Sequence, residues 1–173
     1  MSFAAELIPA SLSGKIETMH LARVLSLFIT VAAVFAAADK PDFSGEWTIN
    51  LNRSEYGAQP APHKLTEKIQ HKGSNIRMEV LELSPLDQEV KYELKYVTDG
   101  KETSNTMLGS VVKSTASWID NQLAVHSWSN VSGWAVDIKD RWRLVENGTT
   151  LIVERHLTAP SGNFDETLVF DKK

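Results

Sequence analysis

The chain has 173 residues, 42% hydrophobic and 23% charged, with a net charge of −4 and no cysteine. That length suits a single domain. The interleaved charges exclude the basic patch of a nucleic-acid binder, and the missing cysteines exclude disulfides and thiol catalysis.

Residues 1–38 differ from the rest. A short segment with His20 and Arg23 precedes an uncharged apolar run, 24–38, that ends in Ala36-Ala37-Ala38. A basic start, an apolar stretch and small residues before Asp39 fit a cleaved secretory signal peptide. The run has 15 residues, whereas a membrane-spanning helix needs about 20, so no stable span is expected after cleavage. Residues 1–18 add nothing to this pattern, and Met19 reads as the start of translation. The expected division is an N-terminal extension and signal peptide over 1–38 and one β domain over 39–173. Export without disulfides points to a bacterial periplasm or to secretion.

After Asp39 no long helical period occurs. Ten short alternating segments follow: GEWTINL, LTEKIQH, NIRMEVLEL, QEVKYELKYV, ETSNTML, SVVKSTASWI, QLAVHSW, WAVDIKDRWRLVE, TTLIVERHLTA and FDETLVFDK. Turn residues separate most of them, and a Pro-rich loop, GAQPAPHK, follows the first. Short strands joined by tight turns make an antiparallel up-and-down meander. A meander of this length removes its exposed edges by closing into a barrel of eight to ten strands.

The turns fix which residues face one another. Asn147-Gly148 suits a two-residue type I′ turn. Counting outward, Leu144 meets Leu151, Trp142 meets Val153, Asp140 meets Arg155 and Ile138 meets Leu157. The one charged pair on this face is complementary in sign, and Arg141 meets Glu154 on the other. A slip of one residue would send every side chain to the wrong face. A turn at Ser161-Gly162 sets Leu157 opposite Glu166, Arg155 opposite Leu168 and Val153 opposite Phe170, with Glu166 diagonal to Arg155. A connection over 130–133 sets Val125 opposite Ile138 and Ser127 opposite Val136. Asp120-Asn121 pairs Trp118 with Leu123, Ala116 with Val125 and Ser114 with Ser127. Asp99-Gly100 pairs Tyr96 with Thr103, Leu94 with Asn105 and Tyr92 with Met107. The inward parity changes between Met107 and Val112, which predicts a bulge or bend near Gly109.

The inward face is therefore mixed. Apolar residues such as Leu94, Met107, Trp118, Trp142 and Phe170 share it with Tyr92, Tyr96, Asn105, Ser127, Asp140, Arg155 and Glu166. Ligand pockets have this profile, mostly apolar with a few orienting polar groups.

The opening FSGEWTINL resembles the lipocalin and fatty-acid-binding-protein (calycin) superfamily, whose members begin their first strand with Gly-x-Trp, here Gly45-Glu46-Trp47. The segment is also similar to small exported bacterial lipocalin-like proteins. They share a DFSGxW opening, a DG turn before a Thr/Asn-rich strand, and a terminal FD…VF. The resemblance implies a barrel that binds a small hydrophobic molecule, with Trp47 sealing the closed end. It also implies that Arg155 and Tyr92 or Tyr96 occupy the place where fatty-acid-binding proteins hold a carboxylate. Two departures stand out: TDG at 98–100 is a turn rather than the lipocalin Thr-Asp-Tyr, and LNRSEYGAQPAP is too short and Pro-rich for a helical lid.

The expected function is an exported carrier of a hydrophobic or amphipathic molecule, monomeric and without cofactor, metal or nucleic acid. Its ligand-binding residues are Arg155, Asp140, Glu166, Tyr92, Tyr96, Asn105, Met107, Ser127, Trp118 and Trp142. The Asp140–Arg155 pair reads either as an anchor for a ligand head or as a structural ion pair that only fixes register. No Gly-x-Ser-x-Gly or His-Glu-x-x-His occurs. An alternative is an isomerase or hydratase using Asp140, Arg155 and Glu166, and another is an envelope module that binds protein on its outer sheet. A cavity of several hundred Å³ would favour the carrier.

Overall fold

The computed structural model describes residues 40–131 and 133–173; the extension and signal segment expected over 1–38 lie outside them. All ten expected strands form: β1 (Gly45–Ile49), β2 (Lys64–Lys72), β3 (Asn75–Leu83), β4 (Glu89–Val97), β5 (Asp99–Met107), β6 (Ser110–Ile119), β7 (Gln122–Val131), β8 (Trp134–Val145), β9 (Thr150–Ala159) and β10 (Gly162–Lys172). They make one antiparallel sheet in the order β4-β3-β2-β1-β10-β9-β8-β7-β6-β5. The sheet curls into a nearly closed barrel, because β4 and β5 are consecutive in sequence yet lie at its two ends. No α-helix occurs among the described residues.

Alternation drives each strand. In β3, Ile76, Met78 and Val80 are buried while Asn75, Arg77 and Glu79 are exposed, the pattern of a strand with one face on a core. The Asn147-Gly148 turn sets the β8–β9 register as its chemistry predicts. Asn147 has φ 57° and Gly148 φ 83°, left-handed values that type I′ requires and that asparagine and glycine tolerate best. Asp140 therefore faces Arg155 and Trp142 faces Val153. The β6–β7 hairpin also matches, with Ser114 opposite Ser127.

Four local expectations are corrected. The β9–β10 turn is Pro160-Ser161, not Ser161-Gly162, so Glu166 lies directly opposite Arg155 and Leu168 opposite Val153. Proline second and glycine fourth in Ala159-Pro160-Ser161-Gly162 suit a four-residue turn one position earlier. In β7–β8, Asn130 and Val131 stay in the ladder, which tightens the connection by two residues. Val125 then faces Asp140 and Ser127 faces Ile138. Both shifts are by two, so every inward residue keeps its face. Near Gly109 there is no bulge. Leu108 (φ 51°) and Gly109 (φ 82°) form a two-residue turn between the paired Met107 and Ser110, and such a turn by itself moves the inward positions from odd to even. The bulge lies between Asp99 and Glu102 instead.

The fourth correction concerns β4 and β5. Their expected hairpin ladder does not form; β4 pairs only with β3 and β5 only with β6. The Asp99–Glu102 bulge turns β5 away, as bulges bend the strand that carries them. One side chain spans the seam. Asn105 Nδ2 donates to the Lys95 carbonyl at 3.0 Å, and Asn105 Oδ1 accepts from the Lys95 N–H at 2.7 Å. The amide thus supplies one donor and one acceptor, as a peptide group of a neighbouring strand would.

The barrel is plugged where β6 turns into β7. Lys40 Nζ donates to the Asp120 carbonyl at 2.7 Å and ties the segment before β1 across this end. Phe43 stacks on Trp118 at 5.8 Å and meets Trp142 edge-on at 5.7 Å, favourable arrangements for aromatic rings. Trp47 is fully buried, and its Nε1 donates to the Phe43 carbonyl at 2.9 Å. At the other end Met107, Ile138 and Leu157 remain half-buried.

Candidate functional site

Registers on three strands place the central charges in one row, with Asp140 on β8 opposite Arg155 on β9, and Arg155 opposite Glu166 on β10. Arg155 Nε and Nη2 donate to Asp140 Oδ1 and Oδ2, both at 2.9 Å. This is the two-pronged geometry that a planar guanidinium makes with a carboxylate. Arg155 Nη1 lies 3.9 Å from Glu166 Oε2, an ionic contact too long for a hydrogen bond. Asp140 is 7% exposed, whereas the Arg155 side chain keeps 30% of its surface accessible, towards the barrel interior.

That interior surface borders a cavity of about 90 Å³. Glu67 of β2, Glu82 of β3, and Tyr92 and Tyr96 of β4 complete its polar wall with Asp140 and Arg155. Met78, Leu94, Trp142, Val153 and Phe170 are among its apolar lining. The volume falls short of the several hundred Å³ that would favour a carrier of a whole ligand. At about 30 Å³ per water, it holds roughly three waters or one small head group.

Burial and charge act together on these groups. Burial pushes the Glu67 carboxyl up to about 7; nearby Arg155 opposes the shift and Asp140 adds to it. Burial also raises the Glu166 carboxyl, against the pull of Arg155. Burial pushes the Tyr92 hydroxyl up to about 12 and raises Tyr96 further, so both stay neutral. Burial works against the Arg155 cation, but Asp140 outweighs it and holds the group charged. Two buried atoms in the cavity wall have no hydrogen-bond partner among the described residues: Glu67 Oε2 and Trp142 Nε1.

Of the residues expected to bind ligand, Asp140, Arg155, Tyr92, Tyr96 and Trp142 line the cavity, with Glu166 beside Arg155. The other four lie elsewhere. Asn105 clasps the β4–β5 seam, and Ser127 Oγ bonds Ser114 Oγ at 2.8 Å. Met107 borders a separate void of about 40 Å³. Trp118 belongs to the aromatic plug. Glu67 and Glu82 were missed, because counting from the tight turns assigns faces only beyond residue 88. A signal was present in each strand. Glu67 has the same parity as Leu65 and Ile69, and Glu82 the same parity as Ile76, Met78 and Val80. A charge at an apolar parity position marks them as it marks Asp140.

These features define a nearly closed, ten-stranded antiparallel up-and-down barrel with a small polar cavity inside. Among solved structures the chain is similar to a secretory abundant heat soluble protein from Ramazzottius varieornatus, at TM-score 0.55 and 14% identity, over 75% of this chain and 94% of that one. It is similar to zebrafish ileal bile acid-binding protein complexed with cholic acid, at TM-score 0.50 and 17% identity, over 76% of this chain and 98% of that one. Secretory abundant heat soluble protein 4 of Ramazzottius varieornatus gives TM-score 0.50 and 15% identity, over 78% of this chain and 96% of that one. At such identities the likeness shows the fold alone. No protein-family model matches the chain, and no curated protein does.

Proposed function

We propose that this chain binds a small amphipathic molecule inside its barrel, with the polar head in the Glu67–Asp140–Arg155 cavity. The hydrocarbon part points towards Met107, Ile138 and Leu157 at the unplugged end. One observation carries this reading: the polar cluster borders a cavity, and among the described residues Glu67 Oε2 and Trp142 Nε1 find no hydrogen-bond partner. A pair that served register alone would need neither. Buried ion pairs add little net stability, and unpaired buried polar atoms cost stability, so a guest that satisfies them explains their presence. A binding protein of similar fold, the zebrafish one, was crystallised with cholic acid, an amphipathic guest. Ligand pockets of drug-sized molecules span about 300–1,000 Å³. The 90 Å³ cavity therefore takes the head, and the half-buried side chains at the open end move aside for the tail.

The sequence before Asp39 supports export to the periplasm or outside the cell, and the protein acts there as a monomer. Native mass spectrometry of protein purified from its own host without detergent tests the binding. The expected result is a non-covalent adduct. A bare mass, together with unchanged tryptophan emission across a panel of alkyl amphiphiles, overturns the proposal. N-terminal sequencing of the exported form is expected to begin at Asp39; a longer sequence refutes the cleavage.

A further inference from the structure

The calycin resemblance implies an anionic head held by Arg155, but the residues around the cavity favour the opposite charge. Arg155 already holds a carboxylate: its Nε and one terminal nitrogen go to both oxygens of Asp140, and the other terminal nitrogen lies 3.9 Å from Glu166, too far for a hydrogen bond. Against this single cation the site gathers four carboxyls on four strands: Glu67, Glu82, Asp140 and Glu166. Among the described residues Glu67, which lines the cavity, has one buried acceptor without a hydrogen-bond partner, Oε2, and Trp142 has one buried donor, Nε1. A carboxylate guest would bring a fifth acid and leave Glu67 unsatisfied. An ammonium brings three donors and a positive charge.

We infer that the interior site takes the protonated amine of a small amphipathic molecule, with Glu67 Oε2 as its acceptor and the Asp140–Arg155–Glu166 row as the wall beside it. This rests on the interior-binding reading above and supplies the class of head group. A compact ammonium fits a space of about 90 Å³, whereas a quaternary ammonium is larger and donates no hydrogen bond. Burial that raises the Glu67 carboxyl to about 7 fits the same picture, since a cation beside it supplies the partner the free protein lacks. The other titratable groups lining the cavity with Glu67 are Glu82, Tyr92, Tyr96, Asp140 and Arg155, with Glu166 beside Arg155. The tyrosines and the arginine do not change charge near neutral pH.

Isothermal titration with octylamine, octanol and octanoate, read in parallel by tryptophan emission, tests the inference. At pH 8 octylamine is expected to bind at least tenfold tighter than octanoate. Its affinity is expected to fall between pH 8 and pH 5.5, a range over which an alkylamine near pKa 10.4 stays charged while Glu67 takes up a proton. Glu67→Gln is expected to weaken octylamine at least tenfold without lowering the melting temperature, because glutamine keeps the shape and removes the charge. The pH series on the unaltered protein stands on its own if that variant fails to fold. Tighter binding of octanoate overturns the ammonium assignment and leaves the interior carrier intact. Equal octylamine affinity for the unaltered protein and Glu67→Gln also overturns the assignment. Failure of all three probes overturns both readings.

Discussion

Removing Asp140 tests whether the inner charges act as a coupled unit. In Asp140→Ala, Arg155 loses both 2.9 Å bonds and keeps only Glu166 at 3.9 Å. Breaking one partner from a buried pair costs about 3–5 kcal/mol. The residual contact with Glu166 and the cavity-facing surface of Arg155 place this case near about 3 kcal/mol. For a domain of this size that lowers the melting temperature by roughly 10 °C. Arg155→Met removes the cation and leaves carboxyls, which can neutralise by taking up a proton, whereas a guanidinium cannot. Such carboxyls titrate above their unfolded values, so the variant is at its best at low pH and loses stability as pH rises. Urea unfolding at pH 5 and pH 8 is the assay. Asp140→Ala is expected to lose about the same amount at both, and Arg155→Met to lose less at pH 5 than at pH 8. The double variant should lose less than the sum of the two single changes. Near-zero losses, or strict additivity, would refute the reasoning and make the pair a solvated one.

Glu67 has its folded-state value raised from 4.5 to about 7. Its folded form is therefore unpenalised below pH 4.5 and loses stability as pH rises through 7, by about 3 kcal/mol in all. Glu67→Gln should flatten that slope in urea melts between pH 5 and pH 8, and an unchanged slope would assign it to another group. Asn105→Ala strips two hydrogen bonds from Lys95 and is expected to cost about 1–3 kcal/mol; hydrogen exchange at the Lys95 amide should quicken, and unaltered protection there would contradict the role of Asn105 at the seam. Trp47→Ala empties a fully buried site and should cost about 3–5 kcal/mol in denaturant melts, with a small loss indicating that the plug closes without it.

The strands and their faces were legible because they depend on local facts. A period of two tells which side of a strand is apolar, and Asn147-Gly148 sets φ at two residues and through them the whole β8–β9 register. Pro160 displaced the next turn by one position, yet the faces survived, since the register errors in the β7–β8 and β9–β10 hairpins were both shifts by two. Glu67 and Glu82 were equally local signals, and face assignment in β2 and β3 would have exposed them. The site as a group was not local. Its members come from β2, β3, β4, β8, β9 and β10, and only closure of the sheet sets those strands around one volume.

By itself, then, the sequence determined ten strands, one inward face and a charged pair across an Asn-Gly turn, because side-chain alternation and turn chemistry act over a few residues. Only the tertiary structure decided where the sheet stays open, which side chain clasps that seam, how small the cavity is and that Glu67 shares it with Arg155. Those outcomes follow from curvature and stagger summed over ten strands. No single stretch of the chain encodes them.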